Sequence, residues 1–378
     1  MHCFIYKEQP EMRNAQQLFF RIMRATILSI AIASVLYAGN QARAQDHSPN
    51  NPDDSEVVYL PIVAGPPART TVYLGVYLEP KADMIGELQR FESLVGKRHG
   101  IYHYYTYWGF GDFTQHRFLV DQIVRYGATP MLSFMSVPGP GQSGCDSQEW
   151  NLDSINRGDH DDFLRRFAGQ IAQYPSKFLF RWGHEMNLDA YSWSGYCNGA
   201  NLAATQKFIT AYRRIVDIFR GAGASNVQWI WSPSYTHWPA VAWNEAENYY
   251  PGDNYVDWIG VVGYNFGASS IYSGYRWNSF NDLFDAFLVN AQARHPSVPV
   301  MLADYASTED DGGDKGAWMT DAFTQMKQHP NLKAIVYFHY NAPEYSPPMY
   351  FKINSTSDSL AAYRDAIKDA YFISDPPE

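Results

Sequence analysis

Residues 177–187 read KFLFRWGHEMN. The first half is a short apolar and aromatic run of strand length, and the second half sets Arg181, His184, Glu185 and Asn187 where such a strand would meet solvent. The pattern recurs. TVYLGVYL (71–78), GIYHYYTYW (100–108), TPMLSFMSV (129–137), VQWIWSPS (227–234), VDWIGVVGYN (256–265), VPVMLADYA (298–306) and KAIVYFHYN (333–341) are likewise of strand length and are bounded by Gly, Pro, Asn or Asp. Between them lie helical patterns such as MIGELQRFESLV, QHRFLVDQIVRYG and FNDLFDAFLVNAQARH, and only the link from the fifth run to the sixth is weakly helical. Eight strands interleaved with helices over about 300 residues predict an α/β fold of the (β/α)8 type, a TIM barrel spanning residues 71–378. No Gly-rich phosphate fingerprint follows the first run, which disfavours a doubly wound sheet.

Ahead of the barrel, Arg21 and Arg24 precede the apolar run ATILSIAIASVLYAG (25–39), and Ala42-Arg43-Ala44 forms a small-residue cleavage site. This predicts a secretory signal peptide over residues 1–44, with Met12 as an alternative start, and an exported protein. The run is shorter than a spanning helix, so no membrane attachment is expected after cleavage. Residues 45–70, rich in Pro, Asn, Asp and Ser, read as a flexible linker. Removing residues 1–44 takes away five basic and two acidic residues and leaves 24 against 37, a net charge of −13. That balance argues against nucleic acid and anionic membrane as partners and fits a neutral substrate; a monomer is expected. Cys145 and Cys197 remain in the exported chain, both in Gly-rich loops that follow neighbouring strands. They are expected to form a disulfide, whose loop closure would contribute about 4 kcal/mol on a chain-entropy basis.

In a (β/α)8 barrel functional side chains sit at the C-terminal ends of the strands. Reading those ends gives Tyr104 and Trp108, then Arg181, His184, Glu185 and Asn187, then Trp231 and Ser232, Tyr264 and Asn265, Asp304 and Tyr305, His339 and Tyr340. Two carboxylates, Glu185 and Asp304, thus share one mouth with His, Arg and aromatic side chains, which is what glycoside hydrolysis requires: one carboxyl protonates the leaving oxygen and the other attacks or activates water. Aromatic residues make up 16% of the chain, enough to cover a core and still supply sugar platforms. HEMNL lacks the second histidine of a zinc-protease motif, and YSWSG lacks the spacing of a nucleophile elbow. No metal or cofactor is implied. Trp182 alternates with Arg181 and should face the helices. Glu309, Asp310 and Asp311 read as a solvated loop that could supply a substitute carboxylate, and His339 either lines the cleft or caps the barrel.

The string R-x-x-H-E-M-N formed by Arg181, His184, Glu185, Met186 and Asn187, with YSWSG after it, resembles the catalytic-acid signature of glycoside hydrolase family 26. The resemblance continues through Tyr264 in VDWIGVVGYN and through PVMLADYASTEDDGGDKGAWM, including Asp314, Lys315 and Trp318, and covers essentially all of residues 71–378. It implies a β-glycanase, mainly of the endo-β-1,4-mannanase kind, with lichenases and β-1,3-xylanases in the same family. Carried over, Glu185 is the general acid/base, Arg181 and Tyr264 hold the nucleophile, and His184 contacts substrate. Trp193, with Trp108 and Asn187, is expected to bind the polysaccharide. Leu188 stands where the family has Gly, and Asp304 stands where it has its nucleophilic Glu. Because aspartate is one methylene short, the resemblance implies either a slow enzyme, retaining or inverting, or a sugar-binding barrel with impaired turnover.

Overall fold

The computed structural model describes residues 71–139, 144–145, 148–267, 276–309, 313–342 and 348–375. The expected signal peptide and linker, and with them Asp310 and Asp311, lie outside the described residues. The eight apolar runs form β1 (Val72–Tyr77), β2 (Ile101–Tyr107), β3 (Thr129–Met135), β4 (Phe178–Trp182), β5 (Val227–Trp231), β6 (Trp258–Asn265), β7 (Val300–Ser307) and β8 (Leu332–Phe338). Each pairs in parallel with the next, and β1 also pairs with β8 from Tyr73↔Ala334 to Tyr77↔Phe338, so the sheet closes on itself. A (β/α)8 barrel is therefore the fold. Around it pack α1 (Met84–Val95), α2 (Thr114–Tyr126), α3 (Leu152–Arg157), α4 (Asp161–Ile171), α5 (Leu202–Gly221), α6 (Phe280–Arg294), α7 (Lys315–Met326) and α8 (Ser357–Ile367). Between β5 and β6 the described chain runs through short 3-10 turns, which accounts for the weak helical pattern there.

Strand alternation divides the core in two. A small cluster inside the barrel holds Ile101, Met131, Leu179, Ile230, Met301, Ala303, Ala334 and Val336, and a much larger one fills the layer between strands and helices. β4 shows how both are built. Leu179 and Arg181 point inward, while Phe178, Phe180 and Trp182 face the helical layer, where the Trp182 ring stacks on Phe208 of α5 at 5.4 Å. α5 starts because the Asn201 side chain accepts from the Ala204 amide, and Phe208, Ala211, Tyr212, Ile215 and Phe219 form its buried stripe.

Two backbone features aim the site. Along β7, Val261 pairs with Leu302 but Val262 with Asp304, so Ala303 is the extra residue of a β-bulge. Met301 and Ala303 both face the barrel interior, and strict alternation would then turn Asp304 toward the helices. The bulge turns it inward instead. After β4 the chain turns sharply through Gly183 (φ 66°) and Glu185 (φ 53°), both left-handed. A Cβ on Gly183 would come within 2.7 Å of the Phe208 ring. Gly183→Ala is accordingly expected to destabilise the domain by about 2 kcal/mol in urea unfolding, from left-handed strain and the Phe208 contact combined; unchanged stability would mean that this turn is not under constraint.

Candidate active site

The barrel mouth holds a polar layer supplied by four strands: His103 (β2), Ser133 (β3), Arg181 (β4) and Asp304 (β7), all fully buried. The Arg181 Nη2 donates to Asp304 Oδ2 at 2.6 Å, and its Nε donates to Ser133 Oγ at 2.8 Å. Tyr105, also on β2, donates its hydroxyl to the same Oδ2 at 2.9 Å. His103 Nδ1 stands 3.0 Å from Asp304 Oδ1, while its Nε2 faces Ser133 Oγ at 2.7 Å and Arg181 Nη2 at 3.2 Å. A guanidinium can only donate, so Nε2 accepts and the imidazole proton sits on Nδ1, directed at Asp304. Burial keeps His103 below its ordinary pKa despite the neighbouring carboxylate. Burial would also raise the Asp304 pKa, but His103 and Arg181 outweigh it and hold the carboxyl well below the usual range.

Glu185 experiences the reverse. Its backbone amide donates to Ser232 O at 2.8 Å, which fixes the left-handed turn against the end of β5, and Tyr191 donates its hydroxyl to Glu185 Oε2 at 3.1 Å. Burial raises its pKa to about 7, against the lowering effects of the Tyr191 bond and the Arg181 charge; the charge of Asp304 adds to the rise. At slightly acidic pH, then, Glu185 carries a proton and Asp304 a negative charge, and the two sense one another across the mouth. Such a divergence separates an acid from a nucleophile or base. His184 is held well below its ordinary pKa, first by burial and then by Arg181, and so is neutral. Its ring lies edge-on to Tyr191 at 4.9 Å and to Tyr105 at 5.8 Å. Tyr264 is buried, and its phenol responds to both carboxylates.

Not every residue expected at the cleft is there. Tyr104 points outward, stacked on Tyr102, because inward positions of β2 are His103 and Tyr105. Trp108 is buried among Phe134, Trp150, His160 and Phe163 and offers no open face to a sugar. Trp193 is likewise fully buried: it stacks on Tyr191 at 4.5 Å and donates Nε1 to His184 O at 2.8 Å, so it supports the acid's neighbours instead of forming a platform. Asn187 is a splice between loops, bonding Ser234 O, Thr236 O and the Ser234 amide. Trp231 is buried edge-on to Tyr250, and Asn265 bonds Ser307. His339 accepts from the Ile353 amide and packs on Phe91, as a cap does. Tyr340 is half-buried beside Tyr77 and Phe338. Glu309 is drawn away to Ser355, Thr356 and Lys315. Asp314 caps α7, Lys315 bonds Tyr350 O, Lys352 O and Ser355, and Trp318 bonds Asn278 O. Leu188 is fully buried and adds nothing to the exposed face of its loop. Cys145 and Cys197 are bonded, tying the loop after β3 to the loop after β4. His103, Tyr105 and Tyr191 were not among the expected site residues. Counting alternation from Ile101 finds the first two, whereas Tyr191 is set by a loop.

A parallel eight-stranded barrel whose mouth pairs a protonated with an ionised carboxyl is a (β/α)8 domain equipped for acid–base chemistry. Residues 150–309, which include both carboxylates, match the model for Glycosyl hydrolase family 26. It is 32% identical over 283 residues to Endoglucanase H of Acetivibrio thermocellus; the alignment covers 74% of this chain and 29% of that protein, so the chain spans less than a third of that relative. Among solved structures it resembles a GH26 β-mannanase of Bacteroides ovatus (TM-score 0.59, 18% identity, 81% of this chain and 91% of that one). It also resembles the catalytic domain of a GH26 endo-β-1,4-mannanase of Bacillus sp. JAMB-750 (TM-score 0.59, 16% identity, 80% and 87%).

The burial of Glu185 has a stability signature. With its pKa raised from the ordinary 4.5 to about 7, the folded state holds a proton that the unfolded state has released between those pH values, so stability falls as pH rises through this window and levels off above it. Glu185→Gln removes the loss. The variant should match the parent near pH 4 and exceed it at pH 8 by up to about 3 kcal/mol in urea unfolding; equal stability at both would place Glu185 in an ordinary solvated setting.

Proposed function

We propose that this domain hydrolyses a β-linked polysaccharide, with β-1,4-mannan the first substrate to consider, and that Glu185 and Asp304 form the working pair. The observation that carries this is the pair of buried carboxyls at one barrel mouth, Asp304 ion-paired with Arg181 and Glu185 held by the Tyr191 hydroxyl: in those settings Glu185 keeps a proton to give to the leaving oxygen, and Asp304 keeps a negative charge to support the developing oxocarbenium ion. Arg181 and His103 fix that charge in place, so it need not reorganise during reaction. Tyr191 orients the Glu185 carboxyl. Mannan is supported by the structural relatives, which are mannanases, and a β-glucan is a second reading supported by the 32% identity to a protein named Endoglucanase H. Export belongs to the same proposal; the Cys145–Cys197 bond supports it, since such bonds persist in oxidising compartments.

The test is release of reducing ends from mannan, glucomannan, mixed-linkage β-glucan and xylan during long incubations. Mannan should be cut fastest, with Asp304→Ala lowering the rate by on the order of a thousandfold or more. Rates should fall as pH rises through about 7, where Glu185 loses its proton. Binding to these glycans without any release would favour a sugar-binding barrel instead.

A further inference from the structure

Three side chains hold the Asp304 carboxylate. His103 and Arg181 are fully buried, as is Asp304 itself, and only Tyr105 reaches the surface. Of these four residues, then, Tyr105 alone presents surface to an entering sugar. The sequence explains the recess: aspartate stands one methylene short of glutamate, which withdraws the carboxylate by up to about 1.5 Å, and displacements of about 1 Å already cost on the order of a hundredfold in rate. The Tyr105 oxygen, 2.9 Å from Asp304 Oδ2, is held directly against that withdrawn carboxylate.

We propose that Tyr105 attacks the sugar and that Asp304 is the base that takes its proton. This rests on the hydrolase reading and changes which atom forms the covalent bond. In the first step the Tyr105 oxygen bonds to the anomeric carbon while its proton passes to Asp304 Oδ2; the glycosidic C–O bond breaks and Glu185 gives its proton to the leaving oxygen. In the second, water attacks the same carbon, Glu185 takes a proton from that water, the bond to Tyr105 breaks, and Asp304 returns the proton to the phenol oxygen. Two displacements give retention. A tyrosine nucleophile served by a carboxylate is established chemistry among retaining glycosidases of other families. Arg181 favours it here, with Nη2 3.4 Å from the phenol oxygen and the guanidinium 5.7 Å over the ring, where it can stabilise developing phenolate charge. Burial and the charge of Asp304 hold the phenol proton tightly, and the contacts of Asp304 with Arg181 and His103 weaken it as a base. Proton transfer must therefore accompany C–O bond formation, and the step is slow.

The test uses the chain with 2,4-dinitrophenyl 2-deoxy-2-fluoro-β-mannobioside and the corresponding cellobioside, which trap the covalent intermediate, followed by peptide mass mapping. The label is expected on Tyr105 as an aryl glycoside that survives mild alkali, and Tyr105→Phe should lose it, with glycan hydrolysis down by on the order of a thousandfold while the melting temperature falls by only several degrees, as one lost hydrogen bond to a buried carboxylate requires. A label on Asp304, released by alkali as an ester would be, overturns the proposal and leaves the hydrolase intact. So does an inverted first product, or a Tyr105→Phe variant with more than half the parent rate. If the unmodified chain hydrolyses no β-glycan and releases no dinitrophenol, the hydrolase reading falls and the Tyr105 step falls with it.

Discussion

The ion pair between Arg181 and Asp304 is the constraint on which the rest of the mouth is arranged. Both side chains have lost all contact with solvent, so their attraction must offset a desolvation cost of several kcal/mol per ion, and neighbouring polar side chains help it to do so. Ser133 takes the Arg181 Nε, His103 approaches the second carboxylate oxygen, and Tyr105 adds a further donor to the first. Removing Arg181 alone would leave an uncompensated buried charge, a loss of about 3–5 kcal/mol. The same pair also sets the chemistry, because a fixed negative charge nearby discourages a second one and helps keep the proton on Glu185.

The two carboxyls are built on different supports. Asp304 belongs to a barrel strand and is locked by side chains from β2 and β4. Glu185 sits on a strained turn held by Ser232, and its partner Tyr191 comes from a loop stacked on Trp193 and tied down by the Cys145–Cys197 bond. The Asp304 charge is therefore placed by strands, while Glu185, the proton donor in the proposed reaction, is held by loops. That arrangement suits a reaction in which the charge must be in place beforehand and the acid must follow the leaving oxygen.

The barrel was legible because eight strand-length runs, each closed by turn residues, alternate with amphipathic segments, and the rule that sites lie at strand ends then led to Arg181, Glu185 and Asp304. Without alternation that rule selects the wrong side chain on β2: it points to Tyr104, whereas the inward positions counted from Ile101 are His103 and Tyr105. Trp108 and Trp193 were misplaced for another reason. Tryptophan packs in a shell as readily as it stacks on sugar, and burial is decided by neighbours distant in sequence, such as Trp150 for the first and His184 for the second. The bulge at Ala303 left no trace in the pattern, since it depends on how β6 and β7 register.

The opposed protonation of Glu185 and Asp304 is tested most directly by isotope-edited infrared titration of the chain carrying carbon-13 side-chain carboxyls, with Glu185→Gln and Asp304→Asn as difference references. The expected result is a protonated glutamic acid band that disappears with a midpoint near pH 7 and is absent from Glu185→Gln, beside an aspartate that stays ionised down to at least about pH 4. A Glu185 already ionised at pH 5.5, or an Asp304 protonated there, contradicts it.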